Sequence, residues 1–179
     1  MNIKRYIATI ILAIVLLLNF SCTDWLDVKP VDRMSEDQLY STEAGFRQAL
    51  NGIYVELNHA DLYGDELLVN TVEILAQRYK FSSMGTLTNQ YHLAEFDYTT
   101  DYAKKCGSRI WEKAYALIAN VNKLLKNADS HKDLFTGDSY DLITGEAYAL
   151  RAFLHFDLLR LFGPVYKTHK EDKSICYNT

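Results

Sequence analysis

Charged side chains lie within the most apolar stretch of the sequence, Gly145 to Val165, and are the first candidates for chemistry. They are Glu146, Arg151, Asp157 and Arg160. An unpaired charge buried in a protein costs several kcal/mol, so at least some of these residues must be paired. Asp157 and Arg160 are three residues apart and can meet on one helix. Arg151 has only Glu146 near it at helical spacing, so we expect its guanidinium to reach a carboxylate or carbonyl on another helix.

Other residue types that support catalysis show no catalytic spacing. The histidines lack the metal-ligand spacing His-Glu-x-x-His; they are His59, His92, His131, His155 and His169. No Ser-His-Asp ordering, converging pair of carboxylates or glycine-rich phosphate loop stands out. The sequence therefore predicts a protein that is not an enzyme and uses no metal or cofactor. His155 is interpreted as a hydrogen-bonded core residue, and the helix charges as groups that fix packing.

The apolar stretch has the periodicity of a helix from about 138 to 162. Two stripes of apolar residues repeat at steps of three and four. The first comprises Ile143, Ala147, Leu150, Leu154, Leu158 and Leu161, and the second Leu142, Ala149, Phe153 and Phe156. The pattern predicts a helix buried on most sides. Small residues such as Gly145 and Ala147 would let other helices approach closely, and Gly163 followed by Pro164 is the expected stop signal.

The rest of the chain also favours helices, because it has only two prolines and eight glycines. We expect helices at about 43–58 and from 67 to near 80, packed as an antiparallel pair, and a long helix from 101 to about 127. Gly52 inside the first of these indicates close packing at that point. Residues 81–100 lack a helical period and are interpreted as a long loop with a strand or two at 92–98. The predicted fold class is all-α, with about four main helices stacked as tetratricopeptide-like (TPR-like) pairs.

The N-terminus has the layout of a secretory signal. Lys4 and Arg5 precede an apolar run of about twelve residues, which is too short for a permanent membrane span. Ser21 precedes Cys22, as lipoprotein processing requires, although Asn19 departs from the usual lipoprotein box. We therefore expect a lipoprotein signal peptide at 1–21 with Cys22 as the lipidation site. An ordinary signal peptide cut nearby or an uncleaved anchor are the alternatives.

The net charge and the cysteines limit which partners and which disulfide bonds the protein can have. The 179 residues carry a formal charge of -4, which becomes -6 without Lys4 and Arg5. A mildly acidic surface argues against nucleic acid as a partner. Cys106 is expected to pack near a helix start, and its pairing with Cys176 is left open, because two separated cysteines are no disulfide framework.

Four motifs occur in the order in which the SusD/RagB family of outer-membrane nutrient-uptake lipoproteins has them. They are Cys22 followed by the Asp24–Asp27 tether, Tyr40–Glu43 before Ala49–Tyr54, Trp111 with Ala114–Tyr115 and Ile118–Asn120, and the Arg151–Val165 helix. The chain resembles this family over most of its length after Cys22. Family members are usually several hundred residues long, so we expect this chain to correspond to the N-terminal third or so. The polar Tyr166–Thr179 segment, which has no capping helix, also suggests a chain cut short.

The resemblance implies a cell-surface lipoprotein that captures glycan, or less often peptide. It would deliver the ligand to a SusC-like TonB-dependent outer-membrane transporter. The implied domains are a lipidated tether at 22–40 and a SusD-like TPR-like helical domain at 41–179, truncated at its C-terminus. Asn89, Tyr91 and Tyr98 are the candidate ligand residues, since sugar rings stack on aromatic faces and amides bond hydroxyls. The alternative is that these tyrosines only close the loop onto the core.

Two alternatives to a nutrient-binding lipoprotein remain open at this point. A lipid-anchored helical scaffold that binds only protein partners would share the export signal and the stacked helices. A truncated chain could also be without function on its own.

Overall fold

The structure is a computed structural model that describes residues 34–81, 88–177 and 179. The chain divides into two units, 1–35 and 36–179. Only residues 34 and 35 of the first unit are described, so the account below concerns the second. The signal sequence, Cys22 and the tether at Asp24–Asp27 lie outside the described residues.

The described residues form α-helices and turns and contain no strand, which confirms the predicted all-α class. Three helices are long and the others are a few residues each. In chain order they are α1 Glu36–Leu39, α2 Glu43–Leu57, α3 Thr71–Leu75, α4 Thr88–Ala94, α5 Asp101–Ser130, α6 Ser139–Phe162 and α7 Tyr166–His169, with a 3-10 turn at Lys132–Leu134. The described helices include none with the length and apolar character needed to span a membrane.

The long helices α2, α5 and α6 pack side by side around the main core. Helices α5 and α6 are antiparallel, because Trp111 lies against Phe162 while Asn122 contacts Arg151. Helix α2 runs parallel to α6. Their shared core consists mainly of Phe46, Leu50, Ile53, Ile110, Leu117, Ile118, Val121, Leu124, Ile143, Ala147, Leu154 and Leu158. The antiparallel pair α5 and α6 agrees with the predicted stacking of helices, and α2 packs against this pair as a third helix.

Helices α2 and α5 begin at side-chain caps, as their sequences indicate. Thr42 Oγ1 accepts a hydrogen bond from the Gly45 N–H at 3.1 Å, and Thr100 Oγ1 accepts one from the Ala103 N–H at 3.3 Å. These bonds satisfy helix N–H groups that have no partner within the helix. Gly45 also lies against the preceding turn, since a Cβ there would be 1.7 Å from the Leu39 carbonyl oxygen.

The predicted helix from 67 to 80 is wrong, and so is its antiparallel pairing with the first helix. Residues 58–70 form successive turns, and only Thr71–Leu75 is helical. Leu62 and Leu67 are both buried although they are five residues apart, which does not suit one face of a helix. The short helix ends at Leu75, and Gln77, two residues later, has a left-handed φ of 59°.

The strand predicted at 92–98 is also absent, and α4 occupies part of the expected loop. Leu93 and Ala94 of α4 form a second, smaller apolar cluster with Ile74 and Ala103. The Gln77 side-chain amide donates to the Ala94 carbonyl at 2.5 Å and links α4 to the end of α3. One short helix buries too few residues to show a period in the sequence, which explains the wrong assignment.

Helix α6 has the predicted bounds, but only one of its two apolar stripes is buried. The second stripe is exposed, with Leu142, Phe153 and Phe156 exposing 58%, 46% and 57% of their surface. Helices α2 and α5 cover one side of α6 and leave the other uncovered. Gly52 and Gly145 also have open space at their Cβ positions, so the predicted close approach at both glycines is wrong.

Candidate functional site

The three predicted ligand residues lie on or just after α4, but they do not converge. Asn89 and Tyr91 are two residues apart on a helix, so their side chains point to different sides. Asn89 is exposed and Tyr91 is partly buried. Tyr98 follows in the next turn, and no hydrogen bond or ring contact joins any two of the three within the described segment 88–100. The tyrosines also do not both close onto the core, because 57% of Tyr98 is exposed.

An exposed aromatic residue between Tyr91 and Tyr98 in the sequence has a strained backbone. Phe96 has a φ of 58°, which is uncommon for any residue with a bulky side chain. It ends α4 with the two hydrogen bonds of a Schellman cap, from the Asp97 N–H to the His92 carbonyl at 2.9 Å and from the Phe96 N–H to the Leu93 carbonyl at 3.0 Å. Glycine is the usual residue at this position. Such strain clusters at functional sites, so Phe96 joins Tyr98 as a candidate contact residue.

A cavity of about 350 Å³ lies beside Tyr98, between α5 and the smaller apolar cluster. Its wall is mostly apolar and includes Ile110, Leu161 and Phe162; among the described residues that line it, Lys104 carries the charge. Cys106 also lines it, and burial raises the pKa of this thiol. The position of Cys106 near the start of α5 agrees with the prediction, and Cys176 is a separate exposed thiol.

A buried carboxylate beside this cavity is held by structural contacts. Glu66 is 2% exposed and accepts a hydrogen bond from Thr71 Oγ1 at 2.5 Å. Arg109 lies 3.3 Å from Glu66 and 2.6 Å from Asp61, so one guanidinium joins two carboxylates. The three charges tie the turns at 58–70 to α5. No periodic pattern in the sequence predicts these ion pairs, because Asp61 and Glu66 are 43 or more residues from Arg109 along the chain.

Of the four charged residues Glu146, Arg151, Asp157 and Arg160 of α6, all but Arg151 contact an oppositely charged side chain or a tyrosine hydroxyl. Tyr54 donates a hydrogen bond to Glu146 at 3.0 Å, which joins α2 to α6. Asp157 accepts one from the Tyr63 hydroxyl at 2.6 Å and is paired with Arg160 at 3.1 Å, as helical spacing predicts. Burial and the neighbouring Asp157 raise the pKa of Tyr63.

Arg151 is the exception. It donates a hydrogen bond to the Asn122 Oδ1 at 3.0 Å, which agrees with the expected carbonyl partner on another helix. Through the same bond Asn122, in the middle of α5, is joined to α6.

A polar groove of about 640 Å³ runs between α5 and α6 at this point. Tyr148 and Arg151 line it from α6, and Asn122, Lys126 and Asn127 line it from α5. The described residues contain no group of three or more His, Cys, Asp or Glu side chains suited to a metal. The side chains that line the groove can form hydrogen bonds and ion pairs and can stack on an aromatic ring.

The family model that matches this sequence has the description SusD-like, starch-binding associating with outer membrane, and it covers residues 24–178. That range includes all the described helices. The chain belongs to the SusD-like family. Its all-α architecture is therefore that of a SusD-like chain.

Two curated relatives, both from Formosa agariphila, agree with this family. SusD-like protein P2 is 27% identical over 162 residues, which is 90% of this chain and 30% of that protein. SusD-like protein P25 is 27% identical over 148 residues, covering 80% of this chain and 28% of the relative. The chain thus spans less than a third of the length of these relatives. No solved structure matches it.

Proposed function

We propose that this SusD-like protein binds a glycan at the cell surface and delivers it to a SusC-like TonB-dependent transporter in the outer membrane for uptake. The observation that supports the proposal is the family match across residues 24–178, whose description is starch-binding and association with the outer membrane. The protein acts by binding, without enzymatic activity. Its partners are the transporter and an oligosaccharide or other nutrient.

The membrane attachment proposed for this function is a lipid on Cys22. Residues 1–21 would be the signal peptide, 22–40 the lipidated tether, and 41–179 the SusD-like helical domain. The spacing of Ser21 and Cys22 after an apolar run supports this division. Mass spectrometry of the membrane fraction would detect a diacylated N-terminal peptide, and Cys22→Ser would release the protein from membranes.

Asn89, Tyr91 and Tyr98 remain proposed ligand residues, with Phe96 added. Exposed aromatic side chains with a nearby amide are the groups that bind sugar rings and hydroxyls. Because Asn89 and Tyr91 point to different sides of α4, Tyr98 and Phe96 are the stronger pair. Loss of binding in Tyr98→Ala, with no change in melting temperature, would support their role.

The glycan-binding proposal is tested by calorimetry with soluble oligosaccharides and by co-purification with the transporter. Saturable binding of an oligosaccharide that remains uncleaved, together with recovery of a TonB-dependent transporter, is the expected result. Hydrolysis of the oligosaccharide at the rate of an ordinary glycosidase would overturn the binding-protein assignment.

A second candidate is a lipid-anchored scaffold that binds only proteins. The exposed apolar side chains of α6, including Phe153 and Phe156, favour it, because large exposed apolar patches mark protein contacts. Co-purification of a protein partner without binding of any oligosaccharide would select this candidate.

A further inference from the structure

Arg151 is a partly buried cation for which the described residues supply no anion. Its guanidinium donates to the neutral amide oxygen of Asn122 at 3.0 Å and lies 5.1 Å from the centre of the Tyr148 ring. In the described parts of the chain no carboxylate is within ion-pair distance of it. A buried cation is stabilised by a counter-charge, and a guanidinium binds an anion through two parallel N–H groups.

Arg151 lines the polar groove between α5 and α6, and α5 contributes a second cation without an ion-pair partner. Lys123 is paired with Glu36 at 2.9 Å, whereas Lys126, one turn along α5, has no ion-pair partner among the residues described. Asp129 is already engaged by Lys132 at 3.3 Å and by the Tyr140 hydroxyl at 2.6 Å. Arg151 and Lys126 are therefore cations of the groove without an ion-pair partner among the described residues, although the carboxylates of Glu36 and Asp129 also line it.

The other groups in the groove suit a sugar. Tyr148 exposes 48% of its surface, so one part of the ring is free to stack while Arg151 lies against another. Asn127 lies beside Lys126; its side-chain nitrogen donates to Glu36 and to the Lys123 carbonyl, and its side-chain oxygen can accept a hydrogen bond from a hydroxyl group. A volume of about 640 Å³ is within the range of pockets that hold small ligands.

We propose that this groove binds an oligosaccharide that carries an anionic group, with the anion held by Arg151 and Lys126 and a sugar ring stacked on Tyr148. The proposal rests on the proposed glycan binding and names the class of glycan and a second place where it binds. A neutral glycan would leave both cations without a counter-charge. The site is separate from Asn89, Tyr91 and Tyr98.

The experiment is calorimetry on the full chain with three probes: a tetragalacturonate, a neutral maltotetraose and free acetate. The expected result is saturable binding of the tetragalacturonate that weakens as salt is raised, with acetate failing to compete at equal concentration. Arg151→Gln should raise the Kd about 10-fold or more, the usual loss for a charge-assisted hydrogen bond. Glutamine removes the charge and keeps an N–H donor on α6, and the melting temperature of the variant reports whether the contact between α5 and α6 is retained.

Arg160→Gln is the matched control, because Arg160 lies on the same helix but is paired with Asp157 and does not line the groove. It should leave the Kd unchanged. Lys126→Gln and Tyr148→Ala change exposed side chains and should weaken binding without altering the melting temperature. They provide the test if Arg151→Gln fails to fold.

Each contrary outcome is distinguishable. Binding of maltotetraose but not tetragalacturonate would overturn this proposal and leave the proposed function intact. Tetragalacturonate binding that none of the three groove variants weakens would also overturn it. Equal competition by acetate would also overturn this proposal, because the groove would then bind anions in general and not an oligosaccharide. Absence of binding by either oligosaccharide would count against both proposals.

Discussion

Two helical glycines with different surroundings give a direct test of the packing. Gly52 is an exposed interior residue of α2, and its Cβ position has no atom within 4 Å. Glycine is less favourable than alanine in a helix interior by about 1 kcal/mol. Gly52→Ala should therefore raise the free energy of unfolding by about 1 kcal/mol, which corresponds to about 2–4 °C in melting temperature.

Gly45 lies in the same helix and should respond in the opposite direction. A Cβ there would be 1.7 Å from the Leu39 carbonyl oxygen and 2.8 Å from its carbonyl carbon, both backbone atoms that cannot move like a flexible side chain. The helix gain of about 1 kcal/mol is then outweighed by an overpacking cost that is typically about 1–3 kcal/mol and larger at so short a distance. Gly45→Ala should be destabilised by about 2 kcal/mol or more.

Urea unfolding followed by far-UV circular dichroism measures both variants. Ala149→Gly, at an exposed interior position of α6, is the control and should lose about 1 kcal/mol. If Gly52→Ala were clearly destabilised, another segment would have to cover α2 at that point, and the open surface described here would be wrong. Equal effects at Gly45 and Gly52 would contradict the close approach of the α1–α2 turn.

Three further predictions follow from burial and charge. Leu154→Ala should lower the free energy of unfolding by about 2–5 kcal/mol, whereas Phe156→Ala should change it by no more than about 0.5 kcal/mol, because Phe156 is exposed; similar losses would contradict one-sided burial of α6. Hydrogen bonds from Ser139 and Thr136, with Arg47 beside them, lower the pKa of Glu43 from 4.5 to about 2, so its stabilisation is present above pH 4.5 and is lost as the pH falls toward 2. The stability difference between the native chain and Glu43→Gln should therefore shrink over that range, and a constant difference would refute this. A thiol reagent should label Cys176 in the folded chain and Cys106 only after unfolding, with peptide mapping as the readout and early labelling of Cys106 as the contrary result.

The long helices could be predicted because each has its own local signals. Thr42 and Thr100 cap α2 and α5, and Gly163 with Pro164 follows the last residue of α6. Apolar residues then repeat along each helix over several turns. These signals lie within the segment they describe, so the bounds of α5 and α6 needed no knowledge of the fold.

The turns at 58–70 could not be predicted, because contacts with distant residues hold them. Arg109 on α5 holds Asp61 and Glu66, and this keeps the turns in place where the apolar pattern favoured a longer helix. The proposed ligand residues depended on a second misassigned segment, 88–100. Asn89 and Tyr91 would share a face in a strand, whose side chains alternate with a period of two, but they diverge in a helix.

Arg151, in the candidate groove, shows what residue spacing along one helix cannot predict. Spacing along α6 indicates that Asp157 can reach Arg160, and it leaves Arg151 with only Glu146 nearby on the same helix. It does not reveal what lies opposite. The structure supplies a neutral amide, Asn122, where a carboxylate would have completed an ion pair. A partly buried guanidinium without a counter-charge is costly, and the anionic ligand that we propose for the groove would supply that charge.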